Sequence, residues 1–368
     1  MSKHILLGCY EVPNWGGSST VLYLLFERMQ RDGFDVSYVN LVGEKEEAFL
    51  RRAFPDRFGN PRGLDNVHTC ILRRPFWDTQ TALAQLVESL SPDLLFAFGL
   101  VAARSFQLIA ASIPVIYMTA GSRHLGHLIE TGAIRDFLDF KKKVDQARSF
   151  PMPPQDPERK AVEDADLVFV HSPLIRFVYD HYFPGHAGKI YSNVISVADF
   201  IFPEAAPFKH LKRPLAEREI DAVFIASQWS RPEKNYPLVK KIASRCNGLK
   251  VHVVGEIDRP CSSVQHHGAV LQRAKIYEIL GRSKSLVCPS LLDAAPGVLF
   301  EASAMDCNVI ASRNCGNFEL CNEQLLAEGC SPEAFLSKIE RSLERPYMDH
   351  RKKFRGGYQD LVETLSVL

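Results

Sequence analysis

Short apolar runs alternate with amphipathic stretches along nearly the whole chain, and the series runs twice. In the first half, His4–Cys9, Asp35–Asn40, Val67–Leu72, Leu94–Phe98, Val115–Met118, Leu167–His171 and Lys189–Asn193 read as strands. Helical periodicity lies between them at Val21–Arg31, Thr79–Leu90 and Val101–Ala110, and again from Pro173. Val21, Leu24, Leu25 and Met29 share one face of the first helix, and Gly33 fits its stop. A Pro- and Phe-rich stretch from Phe200 to Pro214 has the composition of a linker. The pattern then restarts. Asp221–Ala226, Leu249–Val254, Ser285–Cys288 and Asn308–Ala311 are strands, with helices at Pro237–Cys246, Arg273–Leu280 and Val298–Met305. Two more helices are expected near Pro332–Leu343 and Arg351–Leu365. Apolar strands joined by helical crossovers mean βαβ units, hence parallel sheets covered on both faces. The fold class expected is therefore α/β, with two doubly wound, Rossmann-like domains. The first spans 1–200 and the second 216–349, with a linker at 201–215. Ile129–Ala161 reads as an insertion between strands that holds one or two helices.

Composition narrows the function classes. A chain of 368 residues is long enough for two full cores. Lys and Arg total 44 against 43 Asp and Glu, so no global field draws the protein to nucleic acid. Nine cysteines, an odd number with no CxxC spacing, argue for a reducing compartment and a cytoplasmic protein. The first apolar run is too short for a signal peptide. The longest apolar stretch, Leu94–Met118, is broken by Arg104, Gln107 and Pro114, so no membrane span is expected.

In such sheets ligands bind at the carboxyl ends of the strands. The richest loop of this kind follows Cys288: Pro289-Ser290-Leu291-Leu292-Asp293-Ala294-Ala295-Pro296-Gly297-Val298. A helix opening near Gly297 offers the free N–H groups around Gly297 and Val298, and the positive end of its dipole, to a phosphate. Glu301, about one turn in, has the reach to accept hydrogen bonds from a ribose diol, and Asp293 stands before the helix, where a sugar would lie.

These residues carry a resemblance. Asp293 and Glu301, with seven residues between them, followed by Ala302-Ser303-Ala304-Met305 and the run Asn308–Glu319, resemble the retaining glycosyltransferases of the GT-B fold. That large family includes sucrose synthases and many bacterial mannosyl- and glucosyltransferases. Asp293 stands where the family usually has Glu. Arg231-Pro232-Glu233-Lys234 resembles the family's basic pair, which implies that Arg231 and Lys234 neutralise the donor diphosphate. Trp229 occupies the position of the commoner Arg. Val264–Val270, with Gly268 and Val270, resembles the segment that borders the nucleotide base. In the first half, Gly16-Gly17 resembles the glycine loop beside the donor phosphates. Ser172 and Asn193 resemble elements late in the first domain, and His124 is the residue nearest in sequence to a family His near the sugar. Asp164-Ala165-Asp166 matches the DxD of metal-dependent transferases of another fold, and it precedes a strand rather than following one.

The resemblance implies a GT-B fold, with the two domains facing across a cleft and the helix within 350–368 packed back on the first. It implies transfer of a sugar from a UDP or GDP sugar to an acceptor, with retention of anomeric configuration. Asp293, Arg231, Lys234 and His124 would be catalytic. Glu301, Pro296, Gly297, Val298, Gly17, Gly268 and Val270 would bind the donor. No cofactor and no metal are implied. The acceptor class stays open among carbohydrate, lipid-linked and small-molecule species. A noncatalytic nucleotide-sugar-binding or scaffold protein and a sugar-nucleotide epimerase are the alternatives. Phe137-Leu138-Asp139-Phe140-Lys141-Lys142-Lys143 joins aromatics to a basic run and raises a weak peripheral membrane contact, beside the plainer reading of a solvated helix face.

Overall fold

Strand follows helix in the order the apolar pattern dictates. The computed structural model describes every residue except 1–2, 11–12, 14–16, 54–57, 73–80, 120, 193–196, 247, 271, 351–356 and 368. For residues 18, 49–50, 53 and 366–367 it describes the backbone alone. The described residues form two compact units, Met1–Ser122 with Pro151–Val194, and Arg123–Phe150 with Ile195–Leu368.

The first unit contains β1 (His4–Tyr10), α1 (Gly17–Arg31), β2 (Asp35–Gly43), α2 (Glu44–Ala53), β3 (Val67–Leu72), α3 (Thr81–Leu90), β4 (Leu94–Phe98), α4 (Leu100–Ile109) and β5 (Val115–Thr119). After α5 (Arg123–Glu130) and α6 (Phe137–Asp145), which go with the second unit, it resumes with α7 (Pro157–Glu163), β6 (Leu167–Val170), α8 (Pro173–Tyr182) and β7 (Ile190–Ser192). Its strands form one sheet in the order β3-β2-β1-β4-β5-β6-β7, and every neighbouring pair is parallel. All five residues of β4 and of β5 are buried, as a central parallel strand covered on both faces requires. At the end of α1, Gly33 takes φ 85°, and the N–H groups of Gly33 and Phe34 donate to the carbonyls of Gln30 and Met29. That pair of bonds is a Schellman cap and turns the chain into β2.

The second unit continues with α9 (Ala198–Ala205), β8 (Ile220–Gln228), α10 (Tyr236–Ala243), β9 (Val251–Glu256), β10 (Gln265–His266), α11 (Arg273–Gly281), β11 (Ser283–Cys288), α12 (Gly297–Ala304), β12 (Asn308–Ala311), α13 (Pro332–Leu343) and α14 (Tyr358–Val367). Its strands are again all parallel, in the order β10-β9-β8-β11-β12. Ala222, Phe224, Val253, Val287 and Ile310 from four strands pack with Val239 and Ile242 of α10 and Phe335 and Ile339 of α13. Gly255, next to last in β9, takes φ 129°, and a Cβ there would meet the Ala226 carbonyl oxygen at 1.8 Å, so only glycine fits against β8.

These boundaries differ from the sequence reading in three places. Residues 200–214, linker-like in composition, hold most of α9 and the 3-10 turn Ala206–Leu211. α14 falls in the second unit, where Asp199 accepts the N–H groups of Gly357 and Tyr358 at 2.8 and 3.1 Å and Tyr358 packs edge-on against Phe200. α5 and α6 belong there too, because the start of α6 is tied to loops of the second sheet. Phe137 N donates to Leu291 O at 3.0 Å, and Leu138 N to Asn314 Oδ1 at 2.9 Å.

Candidate functional site

β8 and β11 are neighbours in the sheet, but the chain leaves them in opposite directions: β8 leads outward to β9 and β10, β11 to β12. This is the topological switch point, where the loops after adjacent strands diverge and leave a crevice. The two loops at this point are those singled out in the sequence, Trp229–Asn235 and Pro289–Pro296.

Direct bonds lace them together. Leu291 N donates to Glu233 O at 2.8 Å. Asn235 takes the left-handed conformation at φ 61°, and its Nδ2 donates to Pro289 O at 3.0 Å. Lys234 Nζ lies 2.5 Å from Asp293 Oδ2, with side chains only 17% and 14% exposed. Burial pushes the Lys234 ammonium down, but the Asp293 carboxylate more than offsets it, so the group sits above the ordinary lysine range and stays charged. The nearby Arg231 acts against this as a like charge. Arg231 itself is half exposed and pairs with Glu233 in its own turn. Trp229 is core: it is 4% exposed, and its Nε1 donates to Val254 O at 2.9 Å.

The backbone of Asp293 is clamped to the loop after β12. Its N–H donates to Asn314 O at 3.1 Å, and its carbonyl accepts from Gly316 N at 2.7 Å. A few residues on, α12 begins at Gly297 with Pro296 at its N-cap, and no side chain caps the end. A Cβ on Gly297 would touch nothing within 4 Å, so the space before the first turn is open. Gly297 and Val298 are half-buried and Pro296 is buried. Glu301 is buried one turn in, and its Oε1 accepts from Arg273 Nη1 at 2.8 Å. The structure therefore brings together Asp293 and Lys234, with Arg231 beside them, and sets Glu301 on the helix that the same loop opens.

The remaining candidates stand as follows. Gly268, after β10, has φ 66° and is exposed, and its carbonyl accepts from Gly255 N at 2.8 Å; Val270 is half-buried. His124 lies on α5 and is 6% exposed, with Nε2 3.4 Å from Phe150 O. α5 packs against the 3-10 turn Pro232–Lys234, which brings the helix of His124 beside the Lys234 turn. Gly17 opens α1 in the first unit, and Ser172 is the buried N-cap of α8. Gly16 and Asn193 fall outside the described residues.

Two other segments have structural roles. Asp164 pairs with Arg104 at 2.6 Å, and Asp166 Oδ2 accepts from Val115 N at 2.7 Å. Both DxD carboxylates thus work at the amino ends of β5 and β6, away from the carboxyl ends where ligands bind. In α6, Phe137 and Phe140 are buried, and Lys143 pairs with Asp139 at 2.9 Å. Lys141 and Lys142 of that basic run are exposed, and Lys143 is half-buried. Among the described residues, no helix is long and apolar enough to cross a membrane.

Arg273, Glu204 and Asn314 were not singled out in the sequence. Arg273 binds Glu301 and Glu204, and Asn314 ties α6 and Asp293 to one loop. Arg273 heads a helix that is plain in the sequence, but nothing local reveals partners 28 and 69 positions away.

Comparison with known proteins supplies the family context. Residues 222–345 match the family described as glycosyl transferases group 1. No curated protein sequence matches the chain. Among solved structures, sucrose-phosphate synthase from Thermosynechococcus elongatus superposes with a TM-score of 0.63 at 15% identity, over 98% of this chain and 94% of that one. Anabaena HepE in complex with UDP-glucose gives 0.59 at 16% identity over the whole of both chains. UDP-GlcNAc 2-epimerase from Methanocaldococcus jannaschii gives 0.55 at 12% identity, over 99% of this chain and 100% of that one. The chain has the GT-B fold, and the residues that match the group 1 glycosyltransferase family, 222–345, lie in its second unit.

Proposed function

We propose that the protein transfers a sugar from a nucleoside diphosphate sugar, with UDP or GDP as the carrier, to an acceptor, keeping the anomeric configuration and using no divalent metal. The observation that carries this reading is the Lys234–Asp293 pair at the switch point, in the loop that opens α12 at Gly297. The difficulty of the reaction is charge. A cationic, oxocarbenium-like sugar forms while negative charge gathers on the departing diphosphate. Lys234, held charged, and the N–H groups at Gly297 and Val298 offer fixed positive potential to that diphosphate, with Arg231 within reach once it leaves Glu233. Asp293 offers a carboxylate to the sugar, and its clamped backbone keeps it from following the charge as it moves. Glu301 accepts from the ribose diol, and Gly268 and Val270 border the base. His124, on the helix against the Lys234 turn, is the candidate for the sugar side.

The group 1 glycosyltransferase match and the UDP-glucose held by the structurally similar HepE support a nucleotide-sugar donor. The likeness to a 2-epimerase gives one rival chemistry a place on the same fold. Incubation with a panel of UDP-, GDP- and ADP-sugars, with and without EDTA, separates the readings. Transfer or slow donor hydrolysis that survives EDTA is expected. A sugar altered at C2 with no acceptor used, or activity abolished by EDTA and restored by magnesium or manganese, would overturn it.

A further inference from the structure

Glu301 does not stand alone. Arg273, the first residue of α11, gives Nη1 to Glu301 Oε1 at 2.8 Å. Its other edge is taken: Nε and Nη2 reach the two oxygens of Glu204 at 3.0 and 2.8 Å, and Nη2 also reaches Tyr277 Oη at 2.9 Å. Tyr277 in turn donates to Glu204 at 2.8 Å and lies stacked on Phe208 with ring centroids 4.9 Å apart. The guanidinium is thus fixed by α9 on one side and by its own helix on the other, and it presents one N–H edge to α12. Glu301 Oε2 makes no hydrogen bond to any described residue.

We propose that Arg273 is the positioning residue for Glu301: it locks one carboxylate oxygen and leaves the other aimed for a ribose hydroxyl, so that ribose recognition depends on a side chain that does not itself touch the nucleotide. The inference rests on the assignment of Glu301 to the ribose. Charge supports the class of ligand. Two carboxylates share one guanidinium, so the cluster keeps a net negative charge. A neutral diol that donates hydrogen bonds satisfies Oε2, whereas a phosphate would be repelled. Without the fork, the buried Glu301 side chain loses its ion-pair partner and the contact that fixes its rotamer, and its orientation suffers. Lysine supplies the charge but not the planar fork that holds two carboxylates at once.

The test measures Kd by calorimetry for UDP against 2′-deoxy-UDP and for GDP against 2′-deoxy-GDP. The proteins are the wild type, Glu301→Gln, Arg273→Lys and Glu204→Gln. The wild type should prefer the ribonucleotide by about tenfold or more, the worth of a hydrogen bond to a charged group. Glu301→Gln should reduce that ratio several-fold. Arg273→Lys should do the same while leaving the 2′-deoxynucleotide affinity within about threefold of wild type, since it loses only the aim of Oε2. A purely structural role would weaken both nucleotides alike. If Glu301→Gln loses the ratio and Arg273→Lys keeps it, the positioning role is wrong and the ribose assignment stands. If the wild type shows no ribose preference, or Glu301→Gln leaves it intact, the assignment falls and takes the inference with it. Should Arg273→Lys not fold, Glu204→Gln decides: a lower ratio supports the role, and an unchanged ratio overturns it.

Discussion

Replacing Lys234 by Met removes the ammonium that sits 2.5 Å from Asp293 and leaves that carboxylate only 14% exposed without its partner. Breaking a buried ion pair from one side costs about 3–5 kcal/mol. The residual exposure of both partners lets water screen part of this, so the lower end, about 3 kcal/mol, is the expected loss. For a unit the size of the second one, that lowers Tm by roughly 6–12 °C. Turnover should fall further than stability explains, by about 10²–10³-fold, the usual cost of removing one charge-stabilising donor. A second substitution separates the two effects. Lys234→Met with Asp293→Leu removes both charges, so most of the lost Tm should return, while turnover stays low because neither group is left to act. Calorimetry and a nucleotide-release assay at saturating donor give both numbers. A Lys234→Met variant that melts within about 2 °C of wild type and keeps turnover within about threefold would show that the pair neither stabilises the unit nor serves turnover.

Glu301→Ala should weaken binding of the cognate nucleoside diphosphate by about 10–150-fold, the range for hydrogen bonds to a charged group, as read by calorimetry; unchanged affinity in a folded variant removes Glu301 from the site. Gly255→Ala should destabilise by about 3 kcal/mol or more, because its Cβ would lie 1.8 Å from the Ala226 carbonyl oxygen; an unchanged urea midpoint would show that β8 and β9 part easily. His252 is held neutral, its imidazole lowered to about 4 by burial and then by His267, whose ring nitrogen lies 3.0 Å away. The unfolded chain binds that proton first, so the stabilisation is present above the ordinary histidine range and is lost as pH falls through it towards 4. His252→Asn should flatten the fall in urea midpoint across that window, and an unflattened fall would assign the acid sensitivity elsewhere.

Strand and helix order was legible because the signal is local. Val251, Val253 and Val254, and the run Leu286–Cys288, are buried in the second sheet, as the apolar pattern of a covered parallel strand requires. The loop at Asp293 and the turn at Lys234 were legible for the same reason: each follows a strand, and position after a strand is enough to nominate a site. What binds them was not legible. The Lys234–Asp293 pair spans 59 positions and depends on β8 and β11 lying side by side, which strand order settles and a residue pattern does not. Glu204 illustrates the same limit more sharply. It sits in a segment whose prolines suggest a linker, yet α9 tolerates Pro203 and carries Glu204 to Arg273 across 69 positions. Phe137 and Phe140 pack into the second unit, a burial that the aromatic and basic composition of 137–143 does not reveal.

In the proposed reaction this site releases the nucleotide and keeps the sugar's configuration. The most direct measurement is proton NMR of an α-linked donor from the UDP- and GDP-sugar panel, followed from the first minutes with wild type and with Lys234→Met. The wild type should first produce the α-configured product, as glycoside or as free sugar, in EDTA, and Lys234→Met should produce almost none. A β-configured first product, or equal turnover by the two proteins, would contradict it.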